Sequence, residues 1–258
     1  MSALIERLFG LSGTVALITG SSAGIGLALA RGLAAADARV VINGRDTAKV
    51  DAVVARLRED GLRADAAPFD VTDPAAITAA VERIESAIGP IDILINNAGI
   101  QRRAPLEEFD PEMWREVMRT NLDSVFFVGQ AVARCMIPRR RGRIVNIGSV
   151  QSELARLNIA PYTASKGGVK MLTKGMATDW GRYGLRINAI GPGYFRTELN
   201  AALVDDAKFS AWLTARTPMG RWGDVDELVG AAIFLASEAS SFVNGHMLYV
   251  DGGITACL

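Results

Sequence analysis

Short apolar runs rich in β-branched residues alternate along the whole chain with longer amphipathic stretches. Each run is apolar throughout, which is typical of a strand buried on both faces of a sheet. The runs cover residues 15–19, 40–42, 66–69, 91–96, 144–147, 187–190 and 247–250. Helical patterns separate them at residues 25–36, 47–60, 74–88, 111–136, 162–183 and 225–236. This order predicts an α/β fold with a doubly wound, parallel, seven-stranded sheet flanked by helices.

The chain shows no internal boundary. Asp73–Pro74 and Asp110–Pro111 each place an N-cap acceptor before a proline at the first helical position, which marks two helix starts. No repeat, linker or low-complexity stretch divides the 258 residues, and α/β sheets of this length form single units. We therefore predict one domain over residues 1–258.

The composition limits the class of partner. The 28 basic residues balance the 28 acidic ones, so there is no bulk electrostatic reason to expect nucleic acid or an anionic membrane as partner. Two distant cysteines and one histidine argue against a disulfide framework, a metal site or a Ser-His-Asp triad. The sequence has no signal-peptide pattern and no apolar stretch of membrane-spanning length, so a cytoplasmic location is expected.

A glycine-rich turn follows the first predicted strand and leads into the first predicted helix. It reads Thr19–Gly20–Ser21–Ser22–Ala23–Gly24–Ile25–Gly26. Glycines permit a tight turn and let a pyrophosphate approach the N–H groups at a helix N-terminus. By itself such a turn could be purely structural, but inside a βαβ unit it indicates a Rossmann-type dinucleotide site. The predicted contacts are Gly20, Ser21, Ser22, Gly24, Ile25 and Gly26.

The end of the second strand bears on which dinucleotide binds. Sites for the unphosphorylated form carry an acidic residue about 20 residues after the turn, bonded to the ribose 2′-hydroxyl. Here the strand ends in Ile42–Asn43–Gly44–Arg45, with no carboxylate before Asp46. Arg45 would attract a 2′-phosphate, to which Ser21 and Ser22 could donate. We predict NADP(H) as the favoured cofactor, with NAD(H) as the alternative if Arg45 is an ordinary solvated residue.

Four polar residues predict an acid–base site. Tyr162 and Lys166 lie one turn apart at a helix start, and a nearby ammonium favours the phenolate over the phenol. Ser149, at the end of the fifth strand, could donate to an oxygen on which negative charge develops. Asn121, within a predicted helix, could anchor a water that connects Lys166 to solvent. Tyr162 is the expected proton donor and acceptor.

These motifs occur together in one known family. They are Thr19-Gly20-x-x-x-Gly24-Ile25-Gly26, Asn96–Asn97–Ala98–Gly99, the spacing of Ser149 and Tyr162, Tyr162-x-x-x-Lys166, and Pro192–Gly193. On them the chain resembles the short-chain dehydrogenases/reductases from end to end. The resemblance implies an oxidoreductase that interconverts a secondary alcohol and a ketone, with Asn121, Ser149, Tyr162 and Lys166 as a catalytic tetrad. It also implies cofactor contacts from Asp70, Val71, Asn97, Ala98, Gly99, Tyr162, Lys166, Pro192, Gly193 and Thr197.

Further stretches resemble members of this family that act on six-carbon sugar acids. They are residues 96–103, 151–154, 192–198, 216–218, 221–223 and 242–246. The resemblance implies D-gluconate and 5-keto-D-gluconate as substrates, with a substrate-side insertion at about 194–222. Arginines after the fourth strand lie at the carboxyl edge of the sheet, where a guanidinium could hold a carboxylate; alternatively they form surface or subunit ion pairs. The predicted substrate residues are Arg103 first, then Arg102, with Ser149, Gln151 and Tyr194.

Other functions and the assembly stay open at this point. A reductase of another sugar, a polyol or a 3-oxoacyl thioester is the nearest alternative, although a thioester would favour an apolar groove over the polar run Gln151–Ser152–Glu153. A non-catalytic dinucleotide-binding regulator would not need Ser149, Tyr162 and Lys166. The hydrophobic content of 50% and the resemblance imply a homotetramer, or at least a dimer, that pairs helices 111–136 and 162–183.

Overall fold

The apolar runs form strands that pair into one parallel sheet. The computed structural model describes residues 2–257, apart from the side chain of Leu199; Met1 and Leu258, which the predicted domain includes, lie outside the described residues. The strands are β1 Val15–Ile18, β2 Arg39–Ile42, β3 Ala64–Ala66, β4 Ile91–Asn96, β5 Gly142–Ile147, β6 Leu185–Pro192 and β7 Met247–Val250. Within the described range these seven strands lie in the order β3-β2-β1-β4-β5-β6-β7. The predicted fold class is confirmed.

The strand order reverses beside β1, and this creates the crevice where ligands bind in such sheets. β1 pairs with β2 on one side and with β4 on the other. The chain segments after β1 and β4 meet at the carboxyl edge, where Thr19 Oγ1 accepts hydrogen bonds from the N–H groups of Asn97 at 2.9 Å and Ala98 at 3.1 Å. The glycine-rich turn therefore lies at the reversal point.

The third strand lies two residues earlier than residues 66–69, where the apolar pattern predicts it. The regular ladder with β2 ends at Ala66. Beyond it the N–H groups of Ala67 and Phe69 still donate to Ile42 and Gly44, but their carbonyls accept from Asn43 Nδ2, both at 3.1 Å. A buried amide 24 residues upstream of Ala67 thus takes the place of a further strand partner for these carbonyls, which the local apolar pattern does not indicate.

Helices cover both faces of the sheet. Within the described residues the α-helices are α1 Ala3–Phe9, α2 Gly24–Ala35, α3 Thr47–Glu59, α4 Pro74–Ala87, α5 Pro111–Met118, α6 Ser124–Arg139, α7 Ala160–Trp180, α8 Ala201–Val204, α9 Ala207–Arg216 and α10 Val229–Ala236. On one face Leu33 of α2 and Leu235 of α10 belong to the core. On the other face Ile84 of α4, Val132 of α6 and Met176 of α7 do so.

The helix predictions differ from the structure in two ways. The helix predicted at 111–136 is interrupted by a π-helical turn at Arg119–Asp123, which separates α5 from α6. Helices α1, α8 and α9 were not predicted; α1 has apolar residues four apart, Leu4 with Leu8 and Ile5 with Phe9, but buries none of its residues. The aspartate–proline starts are confirmed, since Asp73 accepts from the N–H groups of Ala75 and Ala76, and Asp110 accepts from that of Glu112.

The segment 194–222 packs on the carboxyl edge of the sheet through aromatic side chains. Tyr194 contacts the rings of Phe209 and Trp222, with centroid distances of 5.8 and 5.9 Å. Trp222 and Leu213 share a small core cluster with Val150, which follows β5. Helices α8 and α9 are thereby held beside the end of β5. Among residues 2–257, no helix has the length and apolar character needed to cross a membrane.

Candidate active site

A cavity of about 540 Å³, here called the central cavity, opens at the carboxyl edge of the sheet. It extends from the glycine-rich turn to the segment after β6. Predicted site residues that line it are Gly20, Ser22, Gly24, Ile25, Gly26, Arg45, Asp70, Val71, Asn97, Ala98, Gly99, Arg103, Ser149, Gln151, Tyr162, Lys166, Pro192, Gly193, Tyr194 and Thr197. Ser21, Arg102 and Asn121 are not among its lining residues. One cavity thus unites the glycine-rich turn with Ser149, Tyr162 and Lys166.

The glycine-rich turn leaves room for a ligand at the start of α2. Gly24 has a φ of +57°, and a Cβ there would meet no atom of the described residues within 4 Å. Ala23, the N-cap, makes no side-chain hydrogen bond to the first turn of the helix. The N–H groups in the first turn of α2 are therefore left without a side-chain acceptor, and they fit the pyrophosphate of a dinucleotide.

Ser21, predicted as a cofactor ligand, lies buried beneath this turn. Its hydroxyl donates to the carbonyl of Ile18 at 2.7 Å and accepts from the N–H of Asn43 at 3.0 Å. Both bonds join the ends of β1 and β2, and the residue is fully buried. The prediction that Ser21 meets the cofactor is therefore corrected: the side chain is structural because the backbone takes its hydrogen bonds.

Arg45, which follows β2 in the chain, lies at the rim of the cavity. Arg45 is exposed and lines the cavity together with Ser22, whose Oγ would lie 3.2 Å from a Cβ on Gly44. The neighbouring Asn43 is buried, and its Oδ1 accepts from the N–H of Gly20 at 3.1 Å. An exposed guanidinium beside a serine hydroxyl, with no carboxylate between Ile42 and Arg45, fits a 2′-phosphate.

The segment after β4 is tied tightly to the glycine-rich turn. Asn97 Nδ2 donates to the carbonyls of Thr19 at 3.0 Å and Gly20 at 2.9 Å. A Cβ on Gly20 would lie 2.8 Å from the Cα of Ala98, so only glycine allows this approach. Across the cavity wall, Asp70 accepts from both the N–H and the hydroxyl of Thr72 at 2.8 Å. These bonds fix the walls between which the cofactor would lie.

Tyr162 and Lys166 face the cavity from the first turns of α7. The buried Lys166 Nζ donates to the carbonyl of Ile147 at 2.7 Å and lies 5.7 Å from the centre of the Tyr162 ring. Burial lowers the pKa of Lys166 to about 8. Ser149, whose Oγ accepts from the N–H of Gln151 at 3.1 Å, completes the set at the end of β5.

Burial is the main influence on the pKa of Tyr162. It raises the pKa, and this effect exceeds the lowering by the Ser149 hydroxyl and by the Arg156 guanidinium. Desolvation therefore penalises the phenolate in the chain without cofactor, and the effect of the Lys166 ammonium on the phenolate stays a prediction. At neutral pH the residue carries its proton, which is the form that can donate to a ketone oxygen.

Asn121 lies in the π-helical turn and its side chain is committed to the protein. Its Oδ1 accepts from the N–H of Ile100 at 2.8 Å, while its Nδ2 donates to the Ile100 carbonyl at 2.9 Å and to Ser165 Oγ at 3.2 Å. Ser165 in turn donates to the carbonyl of Tyr162 at 2.7 Å. The side chain of Asn121 thus joins the segment after β4 to the first turn of α7, and its role in anchoring a water near Lys166 stays a prediction.

The two predicted arginines differ in position. Arg102 forms a two-point ion pair with Glu116, with Nε–Oε2 at 2.9 Å and Nη2–Oε1 at 2.7 Å, and does not line the cavity. Its prediction as a substrate ligand is corrected, since the pair turns it towards α5. Arg103 lines the cavity, and burial together with the nearby Arg156 lowers its pKa.

The other predicted substrate residues meet one another at the far end of the cavity. Gln151 is buried, and its Nε2 donates to the Tyr194 hydroxyl at 3.2 Å. Arg156 also lines this end and was missed from the sequence. The sequence does place an arginine in the loop between Ser149 and Tyr162. Its neighbours in the sequence, however, do not distinguish it from a solvent-exposed surface arginine.

The buried ammonium predicts a pH-dependent stability for the chain without cofactor. Below about pH 8 the folded state pays for a charged, buried Lys166. The unfolded chain keeps this proton up to about pH 10.4, so stability rises between pH 8 and 10 by up to about 3 kcal/mol. Melting temperatures from pH 7 to 10 should therefore rise in the wild type relative to Lys166→Met. Parallel curves for the two proteins would contradict the prediction.

The chain is similar to known proteins over nearly its whole length. A family model described as enoyl-(acyl carrier protein) reductase matches residues 20–255. Gluconate 5-dehydrogenase of Gluconobacter oxydans is 64% identical over 251 residues, 97% of this chain and 98% of that protein. The 5-keto-D-gluconate 5-reductase of Escherichia coli is 53% identical over 250 residues, 97% of this chain and 98% of that protein.

A solved structure agrees with the fold throughout. The crystal structure of a gluconate 5-dehydrogenase from Burkholderia cenocepacia in complex with NADP and tartrate is similar with a TM-score of 0.97. Its sequence is 61% identical, and the match covers 99% of this chain and 100% of that chain. With the glycine-rich turn and the Ser149, Tyr162 and Lys166 set in one cavity, the chain belongs to the short-chain dehydrogenase/reductase family.

Proposed function

We propose that this protein interconverts D-gluconate and 5-keto-D-gluconate with NADP(H). The observation that carries the proposal is the central cavity, which joins a dinucleotide cradle to an acid–base pair and then to a polar end with two arginines. Relatives named for gluconate and 5-keto-D-gluconate chemistry, at 64% and 53% identity, support the substrate. NADP in the Burkholderia structure supports the phosphorylated cofactor.

The chain's own residues divide the work between proton transfer and positioning. When bound, the nicotinamide supplies or accepts the hydride. The Tyr162 hydroxyl donates its proton to the ketone oxygen during reduction and recovers it during oxidation. Ser149 donates a hydrogen bond to the same oxygen, where negative charge develops. Lys166 holds a positive charge beside the phenol, which favours the phenolate left after donation.

The cofactor would lie along the wall formed by the glycine-rich turn and the ends of β2 to β4. Gly20, Ser22, Gly24, Ile25 and Gly26 would cradle the pyrophosphate, and Arg45 would hold the 2′-phosphate. Asp70 and Val71 would flank the adenine, and Tyr162 and Lys166 would also contact the bound dinucleotide. The remaining contacts are assigned to Asn97, Ala98, Gly99, Pro192, Gly193 and Thr197.

The substrate would occupy the polar end of the cavity. Arg103 is assigned to the carboxylate, while Gln151 and Tyr194 are assigned to hydroxyl groups. A 3-oxoacyl thioester is the second candidate, because the matching family model carries the name of an acyl-carrier reductase. The lining of this end by Gln151, Arg156 and Tyr194 favours the sugar acid, since an acyl chain needs apolar contacts.

A substrate panel tests the proposal. We expect oxidation of D-gluconate and reduction of 5-keto-D-gluconate, followed by the absorbance of the reduced nicotinamide, with higher kcat/KM for NADP(H) than for NAD(H). D-Glucitol and L-sorbose, which replace the carboxylate by CH2OH on the same carbon chain, should react poorly. If neither acid reacts while a 3-oxoacyl thioester does, the assigned substrate is wrong.

We also propose that the protein is a homotetramer. Large apolar side chains are exposed on the helices expected to pair: Trp114 of α5, Phe126 of α6 and Met171 of α7 are 41%, 39% and 62% exposed. The resemblance also implies a second subunit contact through the final helix and strand, and Phe242, which precedes β7, is fully exposed. Light scattering at micromolar concentration should give about 110 kDa, four copies of the 27.5 kDa chain. A mass of one chain would contradict subunit pairing altogether.

A further inference from the structure

Arg156 enters the central cavity from the loop between β5 and α7. The residue is half-buried, and its Nε is buried with no hydrogen-bond partner among the described residues. The guanidinium carbon lies 5.4 Å from the centre of the Phe209 ring of α9. Stacking on an aromatic face fixes the plane of a guanidinium and leaves its edge free to bind a planar anion.

A second cation, Arg103, lies in the same cavity, near enough to Arg156 for the two charges to repel each other. Arg103 lines the same space, and the charge of Arg156 is the second cause, after burial, of its lowered pKa. Within residues 2–257, no ion pair joins either arginine to a carboxylate, whereas Arg102 next to them is paired with Glu116. Three carboxylates also line the cavity: Glu116 is held by Arg102, Asp70 accepts from Thr72, and Glu198 is exposed. Two like charges without a counter-ion are unfavourable until an anion binds between them.

Two side-chain amide oxygens that could accept hydrogen bonds from a ligand lie in the same cavity as Arg103 and Arg156. The Oε1 atoms of Gln101 and Gln151 are buried without a hydrogen-bond partner among the described residues, and both side chains line the cavity. The Gln151 amide is oriented by its Nε2, which donates to the Tyr194 hydroxyl at 3.2 Å. Buried acceptors without partners are costly, so they indicate ligand hydroxyl groups that donate to them. The two arginines suit a carboxylate, and the two amide oxygens suit hydroxyl donors, so the lining fits an acid that carries several hydroxyl groups.

We propose that Arg156 is a specificity-determining residue that holds the substrate carboxylate together with Arg103 and thereby selects sugar acids over neutral polyols. This inference rests on the proposed function and adds a residue to it. The guanidinium of Arg156 is oriented before the substrate binds, because stacking on the Phe209 ring holds its plane, and it can therefore donate two parallel hydrogen bonds to a carboxylate. Arg103, which is exposed in the absence of ligand, closes on the carboxylate from the other side.

The test compares two substrates that differ only at C1. D-Gluconate carries a carboxylate there and D-glucitol carries CH2OH, so their kcat/KM ratio isolates the carboxylate contact from general damage to the loop. A charge-assisted contact contributes about 1.5–3 kcal/mol, which is roughly a 10- to 100-fold change. We expect Arg156→Ala and Arg103→Ala each to lower the gluconate-to-glucitol ratio of the NADP-loaded enzyme by this factor. An unchanged ratio in Arg156→Ala would overturn the proposal.

Two further variants control for structural damage. Arg182→Ala removes an arginine that also stacks on a ring, at 4.8 Å from Tyr183, but does not line the cavity, and it should leave the ratio unchanged. Arg156→Lys keeps the charge and loses the two parallel hydrogen bonds, so it should give an intermediate ratio. If Arg156→Ala fails to fold, a wild-type ratio in Arg156→Lys together with unweakened gluconate binding overturns the inference.

Failure of the proposed function would be recognised separately. If the wild type reacts with neither sugar acid, the substrate assignment fails, and calorimetric titration of the NADP-loaded enzyme with tartrate then tests the anion site alone. Weaker tartrate binding in Arg156→Ala than in Arg182→Ala would support the two-arginine site. Equal binding by both variants would overturn it.

Discussion

Replacement of Tyr162 by phenylalanine should abolish nearly all turnover and leave cofactor binding close to that of the wild type. The Tyr162 phenol lies in the cavity with Ser149 and Lys166, and its raised pKa keeps it protonated at neutral pH, the form that can donate to the ketone oxygen. General acid–base catalysis contributes about 10²- to 10⁴-fold, and loss of the hydrogen bond to the developing alkoxide adds to that. Steady-state kcat with saturating NADPH and 5-keto-D-gluconate measures the loss.

Tyr183→Phe is the matched control for this experiment. Tyr183 follows the same helix and packs against the core, but it does not line the cavity. Its variant should retain kcat within about twofold, since surface-proximal changes away from special features usually cost little. More than a tenth of wild-type activity in Tyr162→Phe would mean that another group transfers the proton.

An Arg45→Asp variant should reverse the cofactor preference. The change removes a guanidinium from the rim of the cavity and introduces a carboxylate that repels a 2′-phosphate and can accept from a 2′-hydroxyl. Loss of the charge-assisted contact by itself corresponds to roughly a 10- to 100-fold fall in kcat/KM for NADP(H). Since NAD(H) should gain at the same time, the ratio of the two kcat/KM values should change by more than this factor.

The Lys49→Asp variant is the control that tests whether loss of positive charge in this region, rather than loss of the Arg45 contact, changes the cofactor preference. Lys49 lies four residues further along the chain, in the first turn of α3; it is exposed and does not line the cavity, and its replacement changes the net charge by the same amount. Because water weakens the field of an exposed charge that makes no direct contact with the site, Lys49→Asp should shift the cofactor ratio far less than Arg45→Asp. A ratio that is unchanged in Arg45→Asp would remove Arg45 from the cofactor site.

The local sequence pattern was sufficient to predict those features that depend on a single helix or strand. Apolar runs such as Ile91–Asn96 predicted buried strands because a strand covered on both faces has no solvent side to be polar. The four-residue spacing of Tyr162 and Lys166 placed them on one helix face. By contrast, the bounds of β3 and the π-helical turn around Asn121 depend on side-chain amides that bond to backbone groups about 20 residues away in sequence.

Periodicity and short-range geometry specify the parallel α/β fold, the glycine-rich turn and the presence of the Ser149, Tyr162 and Lys166 set, so all three can be predicted from the residues alone. Which of several similar side chains reach the cavity depends on packing between distant segments. Ser21 is taken up by Ile18 and Asn43, and Arg102 by Glu116, while Arg156 is turned inward onto Phe209. The direction of the Tyr162 pKa shift depends on this packing too. Burial and ion pairing depend on residues far apart in the chain, and no local pattern encodes them.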